Sequence, residues 1–106
     1  MNTMPVQTKQ EIIDVLVNCT EDLRRLGVED IRLFGSFVHG IPSAKSDVDL
    51  LVSFRPGTKN FDHFMELGFL LEDVLGRPVE LVTRESLSPY LGPRILATSE
   101  NVPLAA

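Results

Sequence analysis

The chain has 106 residues, with 10 Lys and Arg against 15 Asp and Glu, a formal net charge of −5. That length suits one domain over residues 1–106, because two halves would each sit near the lower limit for a stable core. The acidic balance disfavours sequence-independent adhesion to nucleic acid or anionic membrane, both of which need a basic surface.

The other global features point the same way. A content of 43% hydrophobic and 24% charged residues is that of a folded globular chain. No apolar run is long enough to span a bilayer, and residues 1–10 lack the basic start and apolar stretch of a signal peptide. The single cysteine, Cys19, excludes an internal disulfide and a cysteine-based zinc cluster. It suits a reducing cytoplasm, the expected location, and lies in a helical pattern where it reads as a packing residue.

In chain order, residues 8–26 read as one amphipathic helix. Thr8 with Glu11 three residues on has the form of a capping box. Ile12, Ile13, Leu16, Val17, Leu23 and Leu26 recur at helical spacing before Gly27 stops it. Residues 28–34 read as a strand ending at Gly35-Ser36. Residues 37–46 form a short connection holding Gly40 and Pro42, and residues 47–54, followed by a turn at Arg55-Pro56-Gly57, are the clearest strand. From Phe61 to Leu75 a second helix sets Phe64, Leu67, Leu71 and Val74 on one face, closed by Gly76. Residues 78–83 form a third strand. Helix potential from Ser88, with Pro89 in its first turn, is broken by Gly92-Pro93, leaving a short helix and tail over about residues 86–106. Helices alternating with strands indicate an α/β or α+β domain, a small mixed sheet of three to four strands with helices packed on it.

The chemistry concentrates between Leu33 and Val52. Asp47 and Asp49, two apart on a strand, project to one face, while Val48, Leu50 and Val52 take the core face. Adjacent anions repel, steeply so in low dielectric, and a divalent cation such as Mg²⁺ relieves that cost with hard oxygen ligands. Taken alone, an Asp-x-Asp is more simply a strand cap and a water-facing acid. Gly35-Ser36 alters the weighing. Glycine permits close backbone approach, and the amides after it, with the Ser36 hydroxyl, form an anion-binding turn. Ten residues separate Ser36 from Asp47, and both sit at the mouths of neighbouring predicted strands.

Gly-Ser, ten residues, then Asp-x-Asp on an apolar strand resembles the signature of the DNA polymerase β-type nucleotidyltransferase superfamily. LFGSF, SDVDLLVSF, LEDVLGRPVELVT and ESLSPYL together resemble the minimal nucleotidyltransferase (MNT) domains of bacteria and archaea, over about residues 31–95. The resemblance implies the polymerase β-like fold, with a catalytic core over about residues 28–83. It implies that Gly35 and Ser36 bind the phosphates of ATP. It further implies that Asp47, Asp49 and Glu80 are catalytic and metal-binding, holding two Mg²⁺ ions that activate an acceptor hydroxyl and steady the leaving pyrophosphate.

Two departures stand out. The family's third carboxylate is usually Asp, and here it is Glu80, alone among the apolar residues of PVELVT. Its extra methylene shifts the carboxylate by roughly 1–1.5 Å, and misplacement on that scale can cost about 100-fold in rate. The family often has Arg in the turn where this chain reads Phe37-Val38-His39-Gly40. His39 or Lys45 would have to supply phosphate contact there, if either does more than face solvent.

The resemblance implies transfer of AMP from ATP to a hydroxyl, a tyrosine of a HEPN-type toxin partner, with this chain acting as antitoxin. The short chain leaves little room for an acceptor-binding domain, so the acceptor site is expected from a partner or a second copy, in a homo- or hetero-oligomer. The alternative is an MNT-fold binding protein that neutralises its partner by contact, with weak or no activity. Transfer to a small molecule such as an aminoglycoside shares the motif but normally needs more chain.

Overall fold

The first helix forms because its termini are satisfied locally. Thr8 caps α1 (Lys9–Asn18), its hydroxyl accepting the Glu11 N–H at 3.1 Å. The Glu11 carboxylate reaches back to the Gln7 N–H at 3.0 Å, one residue beyond a strict capping box. The expected single helix is two. At Cys19 the chain leaves helical geometry (φ −97°, ψ 11°) before α2 (Thr20–Arg25). Asn18, Cys19 and Thr20 are all poor helix formers, and the Thr20 hydroxyl bonds back to the Val17 carbonyl at 2.6 Å, a competitor for the helical ladder. Burial and the charge of Asp22 push the Cys19 thiol up, which agrees with a packing role.

The computed structural model describes residues 5–39 and 46–104. Gly40, Pro42 and Lys45, noted above, lie outside the described residues. After α2 come β1 (Val28–Phe34), α3 (Ser36–His39), β2 (Val48–Phe54), α4 (Phe61–Leu75), β3 (Val79–Thr83), a 3-10 turn (Arg84–Ser86), α5 (Gly92–Thr98) and β4 (Glu100–Asn101). The described strands form one mixed sheet in the order β3-β2-β1-β4. β2 runs antiparallel to β1 and parallel to β3. A parallel neighbour requires a crossover, and α4 supplies it. Its N-cap Asn60 accepts the His63 N–H at 2.8 Å, and it ends on Gly76 in the left-handed region at φ 68°.

One face of the sheet carries the core. Val28, Ile31 and Leu33 of β1 and Val48, Leu50 and Val52 of β2 pack against Ile12, Leu16, Leu23, Leu67, Leu71 and Leu75 of the helices. The opposite face of β2 holds Asp49, Leu51 and Ser53 by alternation, and Leu51 is also buried. Phe64, expected on the core stripe of α4, instead lines an outer groove, and Leu75 takes its place inside.

The C-terminal segment corrects the sequence reading. Gly92-Pro93 begins α5 instead of breaking a helix. Proline is acceptable in a first turn, where its missing N–H has no helical partner to lose. The preceding turn is held by Ser88, whose hydroxyl accepts the Leu91 N–H at 2.9 Å and whose carbonyl accepts the Gly92 N–H at 2.8 Å. The tail then adds β4 to the free edge of β1, with Arg32 opposite Asn101.

Candidate active site

The site is built where three strands meet in register. Phe34, the last residue of β1, lies opposite Asp49, and Asp49 lies opposite Glu80 on the parallel strand β3. Directly opposed residues share a face, with Cβ atoms roughly 5 Å apart. Asp49 and Glu80 therefore meet side by side on the face away from the helical core. Asp47 stands just before β2 and is exposed, as is Glu80, whereas Asp49 is half-buried.

Gly35 completes the arrangement from the other flank. Its φ of 78° is a conformation that side chains resist. A Cβ there would lie 2.0 Å from Asp49 Oδ2 and 2.9 Å from its Cγ. Only hydrogen at this position lets the backbone pass against the carboxylate. Ser36 opens α3 directly after, and the Val38 and His39 amides both donate to the Gly35 carbonyl at 3.1 Å. The turn is thus a tight, internally bonded unit packed on Asp49. His39 is the exposed last residue of α3.

Electrostatics mark Asp49 as the stressed member. Burial first, then a hydrogen bond with the Glu80 carboxyl and the charges of Glu80 and Asp47, push its carboxyl up to about 7. A carboxyl–carboxyl hydrogen bond needs one proton between the two groups, and the raised Asp49 carboxyl is the direction that such a bond favours. The longer Glu80 side chain still reaches Asp49, so the structure brings Gly35, Ser36, Asp47, Asp49 and Glu80 to one corner of the sheet.

Among the described residues, no three His, Cys, Asp or Glu are grouped as a ready-made metal site. The donor chemistry nevertheless fits a hard divalent cation. The oxygens are all carboxylate, and their mutual repulsion is what such an ion relieves. His63 takes no part, its ring Nδ1–H donating to the Thr58 carbonyl at 2.6 Å.

Arg77 is a site-supporting residue that sequence reading missed. Its side chain is buried, with Nε donating to the Val6 carbonyl at 2.5 Å and a terminal nitrogen donating to the Ser46 carbonyl at 3.2 Å. The guanidinium lies 5.2 Å from the centre of the Phe37 ring, within cation–π range. One side chain therefore ties α3 to the residue immediately before Asp47. An Arg between a helix-stopping glycine and a proline carries no local signal of this, because its three partners are distant in sequence.

Comparison with known proteins agrees with the geometry. The nucleotidyltransferase domain family matches residues 13–100. The protein adenylyltransferase MntA of Thermococcus cleftensis is 38% identical over 94 residues, covering 88% of this chain and 94% of that protein. A solved minimal nucleotidyltransferase structure superposes with a TM-score of 0.69 at 33% identity, covering 91% of each chain. At 22% identity, a complex of tri-AMPylated Shewanella oneidensis HEPN toxin with MNT antitoxin shares the fold, with a TM-score of 0.63 over 91% of this chain and 72% of that one. From the first helix to β4, this chain belongs to the nucleotidyltransferase domain family.

Proposed function

We infer that this chain transfers AMP from ATP to a hydroxyl of a protein partner, a tyrosine of a HEPN-type toxin, and thereby acts as an antitoxin. The observation that carries the reading is the close packing of Gly35 on Asp49, with Glu80 meeting Asp49 from the next strand. It supports reading Gly35-Ser36 as an anion-binding turn beside an all-carboxylate cluster, the two parts that nucleotidyl transfer needs. The relative named as a protein adenylyltransferase and the fold shared with an MNT–HEPN complex support the choice of donor and acceptor.

In this reading the amides after Gly35 and the Ser36 hydroxyl bind the β- and γ-phosphates. Asp47, Asp49 and Glu80 would hold two Mg²⁺ ions, which supply charge neutralisation for both the entering and the leaving oxygen. The acceptor oxygen forms a bond to the α-phosphorus as the bond to the bridging oxygen breaks. Pyrophosphate leaves with the electron pair, and the acceptor proton is released. Asp49 is pinned by the Gly35 backbone, so the protein contributes position and electrostatics and forms no covalent intermediate.

The contact-only alternative draws on two departures in this chain, Glu80 where the family usually has Asp and Phe37-Val38-His39-Gly40 where it often has a turn arginine. Incubation with a HEPN partner, Mg²⁺ and ATP labelled at either the α- or the γ-phosphate separates the two. Transfer of α-label and not γ-label, lost in Asp47→Asn, is the expected result. Transfer that survives Asp47→Asn defeats the assignment. Neutralisation of the partner by Asp47→Asn with no label transferred by either protein establishes the contact-only reading.

A further inference from the structure

The helix α4 carries two apolar stripes, and only one is used. Leu67, Leu71 and Leu75 are fully buried in the core. A second stripe of Phe61, Phe64, Met65, Gly68 and Phe69 follows the spacing i, i+3, i+4, i+7, i+8 on another side. Phe61 is 74% exposed, Phe69 65% and Met65 38%. Between this stripe and β3 runs a groove comprising a cavity of about 400 Å³, bounded by Met65, Phe69, Val79, Glu80 and Leu81, and a neighbouring one of about 370 Å³ at Phe61 and Thr83, both touching Phe64.

Three features say what the groove accepts. It is elongated: from Phe61 to Glu72 the helix rises about 16 Å at ~1.5 Å per residue, which suits a polypeptide segment. It is also acidic along α4, and Lys59, which lines its far end, is already paired with Glu85. The carboxylic residues Asp62, Glu66, Glu72 and Asp73 face no Lys or Arg anywhere on α4, and Asp62, Glu66 and Asp73 fall together beside the stripe at about 100° per residue. Finally, it adjoins the site across β3, because Glu80 borders the groove while its carboxyl meets Asp49 on the opposite face of the sheet. β3, at the end of the described sheet, forms the other wall.

We propose that this groove docks the acceptor protein through an amphipathic segment whose apolar side chains enter between α4 and β3 and whose Lys or Arg residues meet the acids of α4. The identification of that partner as the acceptor rests on the transfer reading above. A second copy of this chain is a poor occupant. An isologous contact sets the same patch against itself, and α4 against α4 would oppose acids with acids in a chain of net charge −5. A basic segment removes that repulsion and speeds encounter through complementary charge.

The test uses two synthetic amphipathic helices that share one leucine face and carry either lysine or glutamate beside it. Each is titrated into the full chain, with binding read by anisotropy and mapped by NMR shifts. The lysine peptide is expected to bind at least about tenfold more tightly, to weaken with salt, and to shift α4 and β3. Phe69→Ser should cut that affinity by about tenfold, as loss of a central aromatic anchor does. Met65→Ser, another exposed position, should act in the same direction, and a thermal melt verifies both folds. Glu66→Lys with Asp73→Lys should reverse the peptide preference.

Equal binding of the two peptides, or shifts mapping elsewhere, overturns the proposal. So does a dimer that Phe69→Ser converts to a monomer. With a HEPN partner and labelled ATP, Phe69→Ser should raise KM for the partner and leave nucleotide affinity unchanged, whereas Asp47→Asn should stop transfer and leave peptide docking intact. Docking without transfer in the wild type supports the groove and defeats only the transferase reading. Transfer with an unchanged KM in Phe69→Ser defeats only the groove.

Discussion

The two flanks of Asp49 differ in how tightly they are built. On the β1 side, the Gly35 backbone occupies the only space available, with no room for a methyl group. On the β3 side, Glu80 is exposed and borders the α4 groove. In the proposed reading, the contrast matches two demands of a transferase: a rigid cradle for the donor phosphates on one flank, and access for a larger acceptor on the other. A rigid flank should be intolerant of substitution, and an open flank should change recognition before stability.

Gly35→Ala is the most severe way to break that contrast. It combines a left-handed backbone with a methyl group driven into Asp49, for an expected loss of about 1–3 kcal/mol in stability. Nucleotide transfer should fall by about 100-fold or more, since displacement of a reacting group by ~1 Å is enough for that. Wild-type denaturant stability and transfer rate in Gly35→Ala would sink the rigid-flank description.

Arg77→Ala comes next. Removing a buried, charged donor leaves the Val6 and Ser46 carbonyls without it and takes away the contact with Phe37. About 2–4 kcal/mol of stability should be lost, with weaker nucleotide binding because α3 and the start of β2 are no longer tied together. Calorimetry and a nucleotide titration measure the two effects.

The pH dependence sharpens the same comparison. The Asp49 carboxyl is raised from an ordinary value near 3.8 to about 7, so the folded protein binds a proton more tightly than the unfolded chain. That stabilising contribution is present at low pH and is lost as pH rises through about 7. In a metal chelator, the Asp49 contribution should therefore lower the melting temperature between about pH 4 and pH 7. Asp49→Asn should flatten this slope and abolish transfer. Added Mg²⁺ should restore stability at pH 8 in the wild type and not in the variant. An unchanged slope in Asp49→Asn would assign the effect to another group.

Thr8→Ala, remote from both flanks, sets the scale of an ordinary local effect. Loss of the Thr8 cap on α1 should cost about 1 kcal/mol with transfer unaltered. A change in transfer would reveal coupling between α1 and the site.

Much of the candidate site was legible because its signals are local. Glycine before a serine, alternation of Asp47 and Asp49 with valine and leucine, and a lone acid in PVELVT each follow from the chain itself. The same holds for the ends of β1 and α4, which follow from Gly35 and Gly76. The breaks at Cys19 and the start of α5 at Gly92 were less legible. Each depends on a balance that a single hydroxyl or a proline position tips, at Thr20 and Pro93 respectively.

The sequence by itself determined the fold class, the amphipathic helices and the residue types of the site, because backbone preference and side-chain periodicity act over a few residues. Tertiary structure alone decided that Asp49 meets Glu80, that Gly35 closes on the carboxylate, that Arg77 ties α3 to Ser46, and that β4 covers the edge of β1. It also decided which apolar stripe of α4 is buried. Both stripes have helical spacing, and only the placement of the sheet distinguishes the core from the groove left exposed beside the site.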